Sequence, residues 1–298
     1  MEHKIARITV VGNEETPKTM LEKFYNEHRG KGNSAEFLVT PGGFLPFELP
    51  EKYRTMRLKE VTEDDKNEII KLAKAKIIEF MKDFENKALV ELVKFLVIGI
   101  DGFVDSCKKR TNNPIKNKTH KDKTKSAVGL NVQLIIVFDL KEWKIVDLTG
   151  KSYPTYNEQA KVITCYPMNS HILSNETFNG TVAALGCHDL YAFTENSRRE
   201  PALGGKREEW RNEYRELLAE HKTTELTVLH LPHITNTLVW QKPWEGLCSR
   251  CENKVIYASG IKFTNPNNLN GKQLENQIKR IQNSTKSSGV SDVWEVEL

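Results

Sequence analysis

Short runs of apolar and β-branched residues alternate along this chain with longer stretches in which apolar residues recur at helical spacing. The short runs have the length of β-strands, and several are apolar throughout, which is typical of strands covered on both faces. Strands are therefore predicted at 5–11, 36–39, 95–100, 132–138, 144–147, 181–186, 226–230 and 255–259.

The longer stretches carry signals for helix starts. Thr16 offers a capping hydroxyl directly before Pro17, and proline is favoured at the first helical position. Thr62 precedes a run of acidic residues, which favour a helix N-terminus, and a long amphipathic stretch follows. Two further helices are predicted at 208–221 and 273–281.

This order of strands and helices predicts one layered α/β domain. Nothing within 1–263 has the composition of an interdomain linker, so this segment is predicted to be a single domain. The segment 264–298 is rich in Asn, Lys and Ser and is predicted to be a peripheral C-terminal tail.

Charge adds one feature to this picture. The 298 residues carry a formal net charge of +4, which is too small to indicate a nucleic-acid-binding protein by itself. Most of the excess lies at 108–125, where Asp122 is the single acidic residue. Because this stretch has no aromatic residue to stack on a nucleobase, a solvated loop is favoured. Contact with an anion or a nucleic acid is the alternative, and it would show strong salt dependence.

Cysteine usage and hydropathy bear on the compartment. Five cysteines, an odd number, together with the lack of a secretory leader predict free thiols in a reducing environment. No apolar run approaches the roughly 20 residues that a membrane-spanning helix needs. The expectation is a cytoplasmic protein without a membrane segment.

One strand ends in a pattern that suggests chemistry. The apolar run 181–186 closes on Gly186, which would let the chain turn sharply, and Cys187 follows at the strand end, where α/β folds place their sites. A cysteine in this position can equally be inert packing. A thiol that attacks a carbonyl needs a nearby cation, and the resulting oxyanion needs a donor. Lys151, just beyond the strand 144–147, is a candidate for both roles, with an ordinary surface lysine as the alternative.

Together these residues resemble motifs of the nitrilase superfamily of carbon–nitrogen hydrolases. Lys151, Pro154 and Glu158 match a segment that follows a strand in that family. The tripeptide 187–189, Cys-His-Asp, matches its nucleophile motif. Two further similar segments are 35–46 near the start and 250–253 before the strand 255–259. The resemblance covers roughly 5–263, and the order and spacing of the motifs are more specific than any one of them.

The resemblance implies an α-β-β-α sandwich of the carbon–nitrogen hydrolase type, which commonly forms homodimers or higher homo-oligomers and needs neither cofactor nor metal. It implies that Cys187 is the nucleophile, that Lys151 stabilises the oxyanion, and that Glu158 is a buried positioning carboxylate. A small-molecule amide, nitrile or carbamoyl substrate would form a thioester on Cys187, release ammonia or an amine, and be hydrolysed. Retention of a cation beside a thiol favours an enzyme.

The chain departs from the family at the general base. The family carries a glutamate directly after a proline that follows its second strand, whereas here Pro41 is followed by Gly42. General acid–base catalysis typically contributes roughly 10²–10⁴-fold, so this loss favours an alternative, a catalytically impaired protein that binds a ligand or partner. Glu48 and His188 are candidate replacements. Glu48 is more readily read as a loop carboxylate, and a residue adjacent to the nucleophile, such as His188, usually points away from it.

Histidines complete the candidate site. His188, His230 and His233 follow or end the strands 181–186 and 226–230, and they are predicted to line the substrate pocket or to be structural. Metal ligation by these histidines is the alternative. It is disfavoured because no further Asp–His pair is evident at the earlier strand ends.

Overall fold

The computed structural model describes the chain in segments, and every structural statement below refers to them. They are 5–12, 16–32, 34–83, 87–104, 129–153, 161–173, 176–178, 180–193, 209, 212–213, 215–217, 226–233, 241–250, 255–263, 270–284 and 294–297. These residues form a mixed α/β structure with two β-sheets.

The strands are β1 (Ile5–Val11), β2 (Ala35–Val39), β3 (Leu45–Glu48), β4 (Val93–Phe103), β5 (Asn131–Asp139), β6 (Lys144–Gly150), β7 (Val162–Ile163), β8 (Ile172–Leu173), β9 (Thr181–Gly186), β10 (Leu226–Leu231), β11 (Val255–Ser259), β12 (Ile261–Phe263) and β13 (Trp294–Glu297). The described α-helices are α1 (Pro17–His28), α2 (Glu63–Asp83), α3 (Gln241–Arg250) and α4 (Gly271–Ser284).

Every strand predicted from the apolar runs is present, with boundaries that differ by a few residues. The predicted starts of α1 and α2 are confirmed as well. Thr16 Oγ1 accepts the Thr19 backbone N–H at 3.2 Å, and Thr62 Oγ1 accepts that of Asp65 at 3.2 Å. The helix predicted at 273–281 corresponds to α4. Most of the helix predicted at 208–221 lies outside the described residues, as do 105–128, which contain the basic stretch 108–125.

Sheet direction brings particular strand ends together. In the larger sheet, with the order β12-β1-β2-β4-β5-β6, the strands β1, β2 and β4 are parallel, and β5 runs antiparallel between β4 and β6. The carboxyl ends of β2, β4 and β6 therefore lie at the same edge. In the smaller sheet, β9, β10 and β11 are parallel, so their carboxyl ends also share an edge.

Side chains alternate between two faces along these strands, as the strand period requires. Phe95 and Val97 of β4 pack with Val182 of β9 and Leu229 of β10 in a core between the two sheets. The opposite face of the larger sheet packs on α1 and α2, and that of the smaller sheet packs on Trp244 and neighbouring residues of α3. The order through the domain is thus helices, sheet, sheet, helix.

Two strands from the end of the chain join the outer edge of the larger sheet. β12 pairs with the second half of β1, and β13, near the end of the predicted tail 264–298, pairs with its first half. The domain boundary at 263 stays a prediction. Among the described helices, none combines the length and the apolar character needed to cross a bilayer.

Candidate active site

Strand ends from both sheets converge on one small cavity. It has a volume of about 10 Å³, which is close to the space that one water molecule needs. The residues that contribute to its wall include Gly42 after β2, Asp101 of β4, Lys151 after β6, Gly186 of β9 and His233 after β10. Five strands, from both sheets, therefore contribute to the wall of this cavity.

The predicted nucleophile lies beside this cavity. Cys187 follows β9 directly, and 8% of its surface is exposed. Gly186 was expected to allow a sharp turn, but its backbone dihedral φ is not positive, and the reason for glycine is close packing. A Cβ atom at Gly186 would lie 2.8 Å from Asp189 Oδ2, which accepts the Gly186 N–H at 2.8 Å.

His230 holds the backbone of the nucleophile. Because a carbonyl can only accept, His230 Nε2–H donates to the Cys187 carbonyl at 3.1 Å. In the neutral ring, Nδ1 then accepts from the Ser259 hydroxyl at 2.9 Å. Burial lowers the pKa of His230 to about 3, so the ring is neutral at physiological pH. With both ring nitrogens bonded to protein, His230 takes the structural role that the sequence left open beside pocket lining.

His233 forms a pair with an acid that the sequence analysis did not single out. Its Nε2–H donates to Asp101 Oδ2 at 2.8 Å and lies 3.0 Å from Oδ1. Burial alone would lower the pKa of His233, but the charge and hydrogen bond of Asp101 and the adjacent Cys187 side chain raise it to about 9. The other ring nitrogen, Nδ1, is buried and makes no hydrogen bond of standard geometry with the described residues. His233 is therefore a cation at neutral pH, beside the thiol.

Asp101 is an acid near the end of an early strand that was not predicted to be part of the site. No Asp–His pair was expected at the earlier strand ends, and Asp101 forms one with His233. Asp101 comes directly after the predicted strand 95–100, and β4 continues through it. A carboxylate that ends an apolar run was the available signal, and its partner lies 132 residues away in the chain.

Gly42, the position at which the resemblance to the nitrilase superfamily predicts a glutamate, has no room for a side chain. A Cβ atom there would lie 2.7 Å from His233 Nδ1, from His233 Cε1 and from the Leu231 carbonyl oxygen. The Gly42 N–H donates to the Pro232 carbonyl at 3.0 Å, which holds the backbone against β10. The space of the missing carboxylate is thus occupied by the imidazole of His233.

Lys151 is buried, and the alternative of a surface lysine is wrong. Only 2% of its surface is exposed, and its backbone N–H donates to the Gln133 carbonyl at 2.9 Å. A Cβ atom built on Gly186 would lie 3.5 Å from Lys151 Cβ, so the segments that carry Lys151 and Cys187 are in contact. The structure therefore brings together three of the predicted site residues, Cys187, Lys151 and His233.

The remaining candidates take other positions. His188 is half-buried, and its ring stacks on Tyr191 with centroids 5.1 Å apart. Glu48 is exposed, as predicted, but it is the last residue of β3 and not part of a loop. Glu158 lies outside the described residues, so its predicted positioning role stays a prediction.

Chemically, a histidine oriented by a carboxylate and a buried lysine line this cavity, and the Cys187 thiol follows Gly186 of its wall and lies next to His233. Such a set can ionise a nucleophile, stabilise an oxyanion and transfer protons. Neither a scan against protein-family models nor a search of curated proteins found a match to this chain.

Proposed function

We propose that this protein is a thiol-dependent hydrolase of a non-peptide C–N bond in an amide, nitrile or carbamoyl substrate. The observation that carries the proposal is the position of His233, between the Asp101 carboxylate and the Cys187 side chain. A nucleophile, a base and a group that orients the base are the arrangement that activates a thiol or hydroxyl. His233 with Asp101 would serve in place of the glutamate that Gly42 lacks.

Two further observations support the proposal. The order of layers, with two sheets between helices, agrees with the α-β-β-α sandwich of the carbon–nitrogen hydrolase type. The buried Lys151 follows β6 of the larger sheet and contacts the segment that carries Cys187 after β9 of the smaller sheet, where a cation can stabilise both a thiolate and an oxyanion.

In the first half of the proposed reaction, the attacking form of Cys187 is the thiolate, paired with the imidazolium form of His233. With an amide or carbamoyl substrate, the sulfur attacks the carbonyl carbon, and the carbonyl electrons move to an oxyanion that Lys151 stabilises. His233 then gives its proton to the leaving nitrogen as the C–N bond breaks. The products of this half are a thioester on Cys187 and free ammonia or amine.

In the second half, His233 is neutral and takes a proton from water as that water attacks the thioester carbonyl. The resulting tetrahedral oxyanion is stabilised by Lys151 again. Its collapse breaks the C–S bond, releases the carboxylic acid and restores the thiolate beside the imidazolium. Asp101 keeps the His233 ring oriented throughout and favours its protonated form.

A second candidate function is a nitrilase-like protein that binds a ligand or partner without turnover. The small cavity, about 10 Å³, and the low exposure of Cys187, 8%, favour it, because an acyl group needs more room than these residues leave. The two candidates differ in what they require of Cys187, since only the enzyme needs an activated thiol.

The first test is alkylation of the thiols by iodoacetamide at pH 7, with mass spectrometry to assign the label. Cys248 is an exposed free thiol and serves as an internal reference. Accessibility favours Cys248, but burial raises the pKa of its thiol, so faster labelling of Cys187 indicates a stabilised thiolate only if it falls in the variants that follow. Lys151→Ala and His233→Asn should each slow labelling of Cys187 by about ten-fold, which corresponds to about 1.4 kcal/mol of lost stabilisation.

The second test is release of ammonia or amine from a panel of amides, nitriles and carbamoyl compounds, with Cys187→Ala as the blank. Turnover that vanishes in Cys187→Ala and falls in His233→Asn supports the enzyme. Labelling of Cys187 no faster than that of Cys248, together with no turnover, would leave the binding protein as the better description.

The setting of the protein is also part of the proposal. A homodimer or higher homo-oligomer and a cytoplasmic location follow from the family resemblance and the cysteine usage. Sedimentation equilibrium of the full chain would test the first, and cell fractionation would test the second.

A further inference from the structure

Asp189 is a buried carboxylate that binds backbone from two separate segments of the site. It has no exposed surface. Its Oδ2 accepts the N–H of Gly186 at 2.8 Å, directly before the nucleophile. Its Oδ1 accepts the N–H of Ser152 at 3.2 Å and that of Tyr153 at 2.7 Å, directly after Lys151.

These three hydrogen bonds explain why the position requires a carboxylate. The donors are N–H groups on both oxygens, so both oxygens must accept. Asparagine would keep one acceptor and would direct an NH₂ group at a backbone N–H. A buried N–H that loses its acceptor costs about 1–3 kcal/mol, which a loop can recover only by moving.

A second contact ties the same lysine-bearing segment to β9. His171 Nδ1–H donates to the Ala184 carbonyl at 2.6 Å, and its Nε2 is hydrogen-bonded to the Ser152 hydroxyl at 2.6 Å. His171 Nε2 also lies 3.8 Å from Asp189 Oδ2. Ser152 is thus held by its backbone N–H through Asp189 and by its side chain through His171.

We propose that Asp189 is a positioning residue that fixes the distance between Lys151 and Cys187 by clamping the backbone next to each of them. The proposal rests on the proposed function only in that Lys151 acts on the Cys187 thiol. Asp189 touches neither substrate nor the reacting atoms in this scheme, and its effect on Cys187 passes through Lys151.

The test is a double-mutant cycle on the rate of Cys187 alkylation by iodoacetamide at pH 7. Asp189→Asn is compared with the unaltered chain, and Asp189→Asn/Lys151→Met is compared with Lys151→Met. Coupled residues are non-additive, so we expect a loss of about ten-fold in the first comparison and less than about two-fold in the second. A purely structural role would lower the rate equally in both backgrounds, and that result would overturn the proposal.

Asp139→Asn is the matched control. Asp139 is also a buried acid, 3% exposed, whose Oδ1 accepts the N–H groups of Lys141 and Glu142 at 2.8 and 2.9 Å in the turn after β5. It loses comparable hydrogen bonds away from the site, so its variant should leave the Cys187 rate unchanged. A drop as large as that of Asp189→Asn would contradict the positioning role.

Ser152→Ala provides a milder variant if Asp189→Asn does not fold. It removes the hydroxyl that is hydrogen-bonded to His171 and leaves the clamp itself in place. We expect a loss of about two- to five-fold that also disappears in the Lys151→Met background. If the cycle is additive and the protein releases ammonia, the positioning of Lys151 by Asp189 is refuted and the proposed hydrolysis is not. If the cycle is non-additive and there is no turnover, the proposed hydrolysis is refuted and the positioning by Asp189 is not.

Discussion

Replacing Asp101 by asparagine tests the histidine–carboxylate pair most directly. The asparagine side chain would have nearly the same shape and could still accept the His233 Nε2–H, but it would carry no charge. Burial lowers the pKa of His233, whereas Asp101 and, less strongly, the Cys187 side chain raise it, from 6.5 to about 9 in all, which corresponds to a net of about 3 kcal/mol in favour of the protonated ring. Without the Asp101 charge, burial should bring the pKa of His233 well below 9.

The sign of the stability effect follows from the raised pKa. In the unaltered protein, the pair contributes fully below about pH 6.5, where His233 is protonated in both folded and unfolded states. Its contribution is lost as the pH rises from 6.5 through about 9. The free energy of unfolding of Asp101→Asn should therefore be lower by about 3 kcal/mol at pH 6 and should lack this fall towards pH 9.

Two measurements check this expectation. The first is an NMR titration of histidines labelled at Cε1, with the His233 signal assigned by its absence in His233→Asn. The second is urea unfolding at several pH values between 6 and 10. Asp139→Asn is the control, because Asp139 is a buried acid that binds backbone N–H groups rather than a histidine.

A His233 titration midpoint that stays near 9 in Asp101→Asn would refute the assignment, since another group would then hold the proton. Catalysis gives a further reading. Loss of the general base typically lowers the rate by roughly 10²–10⁴-fold, so turnover at pH 7 should decrease by a factor in that range in His233→Asn. If turnover were unchanged there, the base would have to be another residue.

Other predictions concern packing around the site. Gly42→Ala should destabilise the fold by about 1–3 kcal/mol in urea unfolding and slow Cys187 labelling, because its Cβ would meet His233 and the Leu231 carbonyl at 2.7 Å. Gly42→Glu should be at least as harmful, so a gain of activity from this added carboxylate would contradict the geometry. Ser259→Ala removes the donor to His230 Nδ1 and should cost about 1–3 kcal/mol, and an unchanged unfolding midpoint would argue against that bond. Leu229→Ala opens a cavity between the sheets and should cost about 2–5 kcal/mol, whereas Ile78→Ala at a 47% exposed position should cost little.

Much of the secondary structure could be predicted because its signals are local. The apolar runs of β1 and β9 predicted their boundaries, and Thr16 and Thr62 marked the starts of α1 and α2. Five strands were missed, namely β3, β7, β8, β12 and β13. β7 and β8 have two residues each, too few to show any alternation, and each exists because β5 or β9 offers hydrogen bonds.

The candidate site was likewise predicted only in part. The sequence indicated Cys187 and Lys151 because each is a chemically reactive or charged residue that follows an apolar strand. Their burial was not evident from the sequence. Cys187 is 8% exposed and Lys151 is 2% exposed, and a lysine in a turn is expected at the surface unless a second sheet covers it. The clamp through Asp189 was hidden as well, since its donors lie in two segments that only folding brings together.

Local patterns of residues are enough to predict the α/β alternation, the strand ends that carry the candidate site residues, and the lack of a carboxylate at position 42. What occupies the space next to Gly42 depends on the tertiary structure. His233 reaches it because β10 lies in a sheet packed against the one that contains β2 and β4, and Asp101 orients it across 132 residues of chain. Periodicity and capping act over a few residues, and their signals can be read along the chain. The proximity of two strand ends depends on how sheets pack, and no local pattern contains that information.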